Sequence, residues 1–201
     1  MRRAVAALLV LAACATGRVP HVPGDAPPAV DDSAAEAKYQ QLLEQYTRHE
    51  GIYDNLNTRA FFYATWQSPQ FVLAKVERQT IFKSLPPAER TDLLESENKK
   101  LAEGTEFFLA VHVNDSHFDD FDRASSMWRL ALLVHGEELK PLSVERLGRT
   151  NVELRSTYSY MESFWVGYRV RFAKVALAQG EALTFRAASA LGKADLSFTA
   201  E

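Results

Sequence analysis

Residues 105–113 read T-E-F-F-L-A-V-H-V, and one set of apolar side chains occupies every second position of this segment. The members of that set are Phe107, Leu109, Val111 and Val113. A repeat of two residues is that of a β-strand, because successive side chains point to opposite faces of a sheet. The segment therefore predicts a strand that turns one face toward the protein core.

The same alternation recurs on both sides of this segment. The further predicted strands cover residues 58–66, 128–134, 139–147, 164–172, 183–187 and 195–199. Several short strands with turn residues between them are typical of an antiparallel sandwich or a small barrel. We predict an α+β fold, an antiparallel β-sandwich of about seven strands that is immunoglobulin-like in architecture. Such a fold indicates no function by itself.

Two helical regions are predicted around the first of these strands. Ser33 and Glu36 match a capping box, and the apolar spacing after them predicts an N-terminal helix over residues 33–50, ended by Gly51. An N-capping serine before a proline, followed later by a proline pair, predicts a two-helix insertion over residues 68–103.

The amino terminus has the pattern of a cleaved leader. Two arginines follow Met1, and residues 4–13 form an uninterrupted apolar run. Ten helical residues span about 15 Å, which is half of the roughly 30 Å hydrocarbon core of a bilayer. The run is too short to cross a membrane and fits the apolar region of a signal peptide over residues 1–13.

The leader ends in Leu11-Ala12-Ala13-Cys14, which resembles the lipobox of bacterial lipoproteins. The resemblance implies cleavage before Cys14 and attachment of lipid to its thiol, and two or three acyl chains anchor a protein stably. Cys14 is the only cysteine of the chain, so lipidation would also account for an unpaired thiol. The alternative is an ordinary secretory leader whose cysteine is discarded. Ala15, in place of the aspartate that retains many lipoproteins in the inner membrane, implies the periplasmic face of the outer membrane.

Between the leader and the folded part lies a proline-rich segment. Residues 15–32 contain four prolines and two glycines and no periodic apolar face. Such composition predicts a disordered tether over residues 14–32 that holds the rest of the chain away from the lipid. Residues 33–201 are of a size typical of one globular domain.

Composition and motifs exclude several classes of function. The formal net charge is −3, and no basic stripe is present for a nucleic-acid backbone, so we expect no nucleic-acid partner. The sequence contains neither a Gly-x-Ser-x-Gly nucleophile motif nor a glycine-rich phosphate loop. No set of residues indicates an enzyme.

Residues 114–122 read N-D-S-H-F-D-D-F-D, an acidic loop between two predicted strands. Its candidate metal ligands are Asp115, His117, Asp119 and Asp122, and oxygen-rich loops of this kind bind Ca²⁺. The spacing lacks the sixth-position glycine and twelfth-position glutamate of an EF-hand. The alternatives are a solvated turn whose aspartates cap backbone amides, or a partner-binding loop.

The segment 156–165 combines aromatic and polar residues, and Tyr158, Tyr160 and Trp165 are candidates for contacting a partner. The alternative is that these side chains cover the edge of the sheet.

Together these features predict a lipid-anchored binding or assembly module of the bacterial cell envelope, with an envelope protein or glycan as partner and the membrane reached through Cys14. The rival hypothesis is a metal-assisted hydrolase of the envelope that uses the acidic loop.

Overall fold

The computed structural model describes residues 33–55 and 57–200, which form nine strands and four α-helices. The strands are β1 (Thr47–Asp54), β2 (Asn57–Trp66), β3 (Thr105–Val113), β4 (Arg129–Val134), β5 (Glu137–Leu139), β6 (Ser143–Arg149), β7 (Val166–Phe172), β8 (Ala182–Ser189) and β9 (Gly192–Thr199). The helices are α1 (Ser33–Gln45), α2 (Pro69–Lys83), α3 (Pro87–Glu103) and α4 (Val152–Thr157). Residues 1–32, which include the leader, Cys14 and the whole predicted tether, lie outside the described part of the chain.

The strands build two antiparallel sheets. The five-stranded sheet has the order β1-β2-β3-β7-β6, and the four-stranded sheet has the order β5-β4-β8-β9. The predicted α+β fold with an antiparallel sandwich is therefore confirmed. Its immunoglobulin-like character stays a prediction.

The main core lies between the two sheets. The alternation of β3 places Phe107 and Leu109 on the inner face, where both are fully buried. Phe185 on β8 faces them from the other sheet, with its ring centroid 5.2 Å from that of Phe107 and 5.9 Å from that of Phe172. Burying one such side chain contributes about 1.5–3 kcal/mol, so the tilted and edge-to-face contacts of these phenylalanines hold the sheets together.

The outer face of the five-stranded sheet is covered as well. Phe108 and Ala110, on that face of β3, are 3% and 0% exposed. They pack in a second cluster with Tyr39 of α1, Phe71 of α2 and residues 158–165. The molecule thus has three layers, which are the four-stranded sheet, the five-stranded sheet and a helical layer. We call this third layer, formed by α1, α2 and residues 158–165, the helical cover.

The outer face of the four-stranded sheet carries polar side chains. Arg186 donates two hydrogen bonds to Asp195 at 2.6 and 2.8 Å, and the hydroxyls of Thr184 and Ser197 lie 2.9 Å apart. These cross-strand pairs face solvent, as is common for one side of an antiparallel sheet.

The predicted helix over residues 33–50 is wrong at its end, because α1 stops at Gln45 and β1 follows. Hydrogen bonding to β2 and contact with the second sheet override the helical pattern there. The hydroxyls of Thr47 and Thr65 lie 2.7 Å apart, and Arg48 donates from Nε to the carbonyl of Ser197 on β9 at 3.1 Å. Gly51, expected to end the helix, lies inside β1.

The predicted strand 139–147 is also wrong, because the chain changes sheets within it. β5 ends at Leu139 in the four-stranded sheet, and β6 begins at Ser143 at the edge of the five-stranded sheet. Pro141 lies between them and has no N–H with which to continue a ladder. This division and the additional β1 raise the number of strands from the predicted seven to nine.

The two-helix insertion is confirmed. Ser68 caps α2 by accepting a hydrogen bond from the backbone N–H of Phe71 at 3.2 Å, with Pro69 at the first helical position. α3 starts at Pro87, so α2 and α3 replace the turn between the paired strands β2 and β3. Among the described helices, none is long and apolar enough to cross a membrane.

Phe185→Ala tests the role of the inter-sheet core. We expect it to lower the free energy of unfolding by about 3–5 kcal/mol, because the cavity has partners from both sheets and cannot collapse. Urea denaturation followed by circular dichroism measures the loss. Thr199→Ala, at an exposed position of β9, is the control and should change stability by less than about 0.5 kcal/mol. A similar loss in both variants would contradict this role.

Candidate ligand-binding groove

The acidic loop is tied to the sheet through Asp119. Its carboxylate accepts hydrogen bonds from Arg146 on β6 at 2.9 Å and from the hydroxyl of Tyr168 on β7 at 2.5 Å. Arg146 also donates to the Asp119 carbonyl at 2.7 Å. Burial and the Asp119 carboxylate raise the pKa of the Tyr168 hydroxyl, which keeps it a donor. Asp119 is therefore occupied by partners within the protein.

Of the other candidate metal ligands, Asp115 and His117 pair with each other, and Asp122 lies close enough to Arg146 and Tyr168 to act on their charges. Asp115 caps the short turn at residues 116–118 by accepting from the backbone N–H of His117 at 3.0 Å. The imidazole of His117 also contacts Asp115, and it is 88% exposed. Asp122 is exposed. Within residues 33–55 and 57–200, no three His, Cys, Asp or Glu side chains are grouped so that they could hold a metal ion.

Two of the three predicted partner-binding residues lie in the second core cluster. Tyr158 and Trp165 are each 7% exposed. The Tyr158 ring lies parallel to that of Phe108 with centroids 3.6 Å apart, and a β-carbon at Gly167 would come within 3.0 Å of the Phe108 ring. Tyr158 therefore covers the sheet and has little surface to offer a partner.

Tyr63 joins the other two predicted residues into a cluster of rings. The alternation of β2 buries Phe62 in the main core and turns Phe61 and Tyr63 toward the helical cover. The centroid of Tyr63 lies 4.8 Å from that of Tyr160, in a stacked arrangement, and 5.2 Å from that of Trp165, edge to face. The imidazole of His49 on β1 also stacks on Tyr63, at 5.0 Å.

Two depressions open beside this cluster, and Tyr63 lines both. One, of about 520 Å³, lies between α1 and the rings of His49, Tyr63 and Tyr160. The other, of about 410 Å³, lies between Phe61, His112 on β3 and residues 162–165. We call the two together the aromatic groove.

The lining of the groove is aromatic and polar, and among the described residues it contains His49 and His112 but no lysine or arginine. Its polar members include Gln40, Gln41, Glu44, Ser159, Glu162 and Ser163. A concave surface with apolar walls and a few polar groups is the usual form of a ligand site. Two carboxylates without a lysine or arginine disfavour an anionic ligand.

Phe164 stands at the rim of the groove in a strained conformation. Its side chain is 76% exposed, and its φ of 74° lies in the left-handed region. That region costs a residue with a β-carbon about 1–2 kcal/mol. An exposed aromatic side chain held at such a cost suggests a role in contacting a ligand.

The sequence drew attention to Tyr160 and Trp165 and to the segment 156–165 that contains Phe164, but Tyr63, His49 and Phe61 were missed. The period of β2 was available in the sequence, with Phe61 and Tyr63 on one face. Which face met the core and which met the helical cover was not, because both faces of this strand are aromatic. His49 was missed because β1 was predicted as the end of a helix.

Asp119→Ala tests whether the acidic loop is held by hydrogen bonds. We expect the free energy of unfolding to fall by about 2 kcal/mol, because Arg146 and Tyr168 lose their acceptor. The control Asp122→Ala should cost less than about 0.5 kcal/mol. CaCl₂ should leave the melting temperature of both variants and of the wild type unchanged. A rise in wild-type Tm that Asp115→Ala or Asp122→Ala abolishes would restore the Ca²⁺ hypothesis.

Phe164→Gly tests the strain at the rim. We expect the free energy of unfolding to rise by up to about 1 kcal/mol, because relief of the left-handed backbone outweighs the greater entropy of an unfolded glycine. Phe118→Gly, at an exposed phenylalanine without positive φ, should lower stability. If Phe164→Gly also lowered it, packing of the Phe164 ring would be the stronger effect. Denaturant titration of the three proteins decides between these results.

Comparisons with known proteins identify no family. No model of a known protein family matches the chain, and no curated protein matches it. A solved structure with some likeness is the crystal structure of a protein from Burkholderia pseudomallei K96243 that is described as a novel protein of unknown function. The alignment covers 81% of this chain and 82% of that chain, with 10% sequence identity and a TM-score of 0.44.

Proposed function

We propose that this protein is a lipid-anchored binding protein of the bacterial cell envelope and that it holds an uncharged oligosaccharide in the aromatic groove. The observation that carries this proposal is the lining of the groove, in which stacked rings stand beside amides, hydroxyls and carboxylates, and to which the described part of the chain contributes no lysine or arginine.

The rings suit the faces of sugars. The C–H groups of a pyranose ring carry small positive charges, and they stack on the negative face of an aromatic side chain. Tyr63, Tyr160 and His49 lie in contact along one depression, and Trp165 with Phe61 continues the aromatic surface into the other, with centroids 6.4 Å apart. Two adjoining depressions suit a chain of several sugar units better than a single small molecule.

The polar groups suit sugar hydroxyls. Gln40 and Gln41 on α1 offer amide donors and acceptors, and Glu44 and Glu162 offer acceptors. A hydroxyl both donates and accepts, so it can pair with each of these groups. A phosphate or sulfate only accepts, and it would meet two carboxylates without a cation to neutralise it.

The proposed anchor suits an envelope ligand. Lipid on Cys14 would confine the protein to the membrane surface, where confinement raises the effective concentration of a tethered binding site. The tether over residues 14–32 leads into α1, which forms one wall of the groove. A site reached by a short tether from the membrane favours a glycan of the envelope over a freely diffusing solute.

Binding of uncharged oligosaccharides tests the glycan proposal. Hexasaccharides of glucose and of N-acetylglucosamine are titrated into the full chain while tryptophan fluorescence is followed. We expect saturable quenching from an uncharged hexasaccharide. Dextran should compete with it, and dextran sulfate should not, because sulfate would meet Glu44 and Glu162.

Tyr63→Leu is the matching variant, because leucine keeps an apolar side chain at the centre of the groove and removes the ring. We expect it to weaken binding by about tenfold, or roughly 1.4 kcal/mol, because the rings of His49 and Tyr160 lose the ring on which they stack. Phe118→Ala removes an exposed ring outside the groove and should leave binding unchanged. Oligosaccharide binding that is unchanged in Tyr63→Leu would contradict the glycan proposal. An envelope protein that copurifies in stoichiometric amount with the wild type and not with Tyr63→Leu would indicate a protein partner in its place.

Cys14→Ser tests the anchor separately. We expect the variant to lose labelling by a radioactive fatty acid and to accumulate as a precursor that keeps residues 1–13, because serine cannot form the thioether. Ala15→Ser, which adds a hydroxyl beside Cys14 and keeps the thiol, should be labelled like the wild type. Labelling that persists in Cys14→Ser would contradict the lipobox interpretation.

A further inference from the structure

A second cavity, of about 290 Å³, lies on the same face of the five-stranded sheet and is separate from the aromatic groove. Residues of α2, β3, β7 and α4 form its walls. Its apolar wall consists of Phe108, Tyr158, Leu147 and Leu154, and its polar members include Glu106, Lys75 and Arg169. The cavity therefore joins an apolar wall to charged side chains that the proposed glycan function does not use.

Glu106 is the less exposed of the two carboxylates that line this cavity, the other being Glu153, and no described residue donates a hydrogen bond to the Glu106 carboxylate. It lies on β3 two residues before Phe108, on the same face, and its side chain is 18% exposed. The nearest cations are Nε of Arg169 at 3.6 Å and Nε of Arg171 at 4.0 Å. Charge-assisted N–H···O bonds have lengths of about 2.7–2.9 Å, so neither arginine makes one to Glu106. Burial raises the pKa of this carboxyl, since Arg169 and Lys75 only partly offset the loss of water.

The cations around Glu106 are held by other partners. Lys75 donates to Glu97 at 2.9 Å and to the amide oxygen of Gln67 at 3.2 Å. Gln67 is 4% exposed, and its amide nitrogen donates to the carbonyl of Thr65 at 3.3 Å, which fixes the orientation of the amide. Lys75 therefore makes its hydrogen bonds with Glu97 and Gln67, although it lies close enough to Glu106 to lower the pKa of that carboxyl.

The two arginines are held in the same way. Arg169 donates to Glu145 on β6 at 2.8 Å, and Arg171 donates to Glu103 at 3.2 Å. Glu106 lies opposite Arg171 in the register of β3 and β7, yet each arginine has its short bond elsewhere. What the cavity lacks is a hydrogen-bond donor for Glu106.

The charged side chains that line the cavity balance one another, because Glu106 and Glu153 stand against Lys75 and Arg169. The sign of the ligand therefore follows from Glu106, whose largely buried carboxylate accepts no hydrogen bond from a described residue and would accept one from a cation.

We propose that this cavity binds a small organic cation, a primary amine whose ammonium group donates to Glu106 and whose apolar part lies against Phe108, Leu147 and Leu154. The volume sets the size of the ligand. A water molecule occupies about 30 Å³ in the liquid, so 290 Å³ admits an amine of roughly seven to ten non-hydrogen atoms. The site is independent of the glycan proposal, because it shares no lining residue with the aromatic groove.

Three probes of one size and different charge test this proposal. Cyclohexylamine, cyclohexanol and cyclohexanecarboxylate are titrated into the full chain, and binding is followed by calorimetry. We expect the amine to bind at least about tenfold more tightly than the alcohol, as a charge-assisted bond requires, and the carboxylate not to bind. Equal binding of amine and alcohol would overturn the proposal, because a protonated Glu106 would then be pairing with a neutral group.

Variants locate the amine. Glu106→Gln should weaken amine binding by about tenfold or more and bring it level with the alcohol. Glu106→Asp, which keeps the charge on a shorter side chain, should preserve the preference for the amine even where overall affinity falls. Glu44→Gln and Tyr63→Leu alter the aromatic groove and should leave amine binding unchanged. Amine binding that survives Glu106→Gln, or that is lost in Tyr63→Leu, would place the cation elsewhere and refute this site.

Discussion

The structure depends on burial of both faces of β3. Its inner face supplies Phe107 and Leu109 to the core between the sheets, and its outer face supplies Phe108 and Ala110 to the helical cover. A strand covered on both sides has to be apolar along its middle, so polar side chains on its outer face are confined to its ends. Those are Glu106 at one end and His112 at the other, and each lines one of the two candidate sites.

The helical cover determines where the sites open. Tyr158 stacks on Phe108 and lines the cavity that contains Glu106. Tyr160, two residues later, stacks on Tyr63 and lines the aromatic groove. Their ring centroids are 6.0 Å apart, so one short segment separates two concave surfaces of different chemistry. Gly167 permits this arrangement, because a side chain there would press against the ring of Phe108.

Caps and periodic patterns in the sequence predicted those helices and strands whose ends are decided by residues nearby in the sequence. Ser68 and Pro69 start α2 where the capping pattern indicated, and the alternation at residues 105–113 matches β3 in full. The predictions over residues 33–50 and 139–147 were wrong at places where distant strands decide the outcome. Pairing with β2 turns residues 47–54 into a strand, and a change of sheets divides residues 139–147.

The sequence by itself determined the antiparallel sandwich, the helical insertion and the expectation of a lipid on Cys14, because each rests on a period, a cap or a motif within a short stretch. It also drew attention to Tyr160 and Trp165. Only the tertiary structure decided that Asp119 pairs with Arg146. It also decided that the rings of His49 and Tyr160 both stack on Tyr63. Those contacts join residues far apart in the chain, and the packing of the sheets and the helical cover, which no local pattern encodes, brings them together.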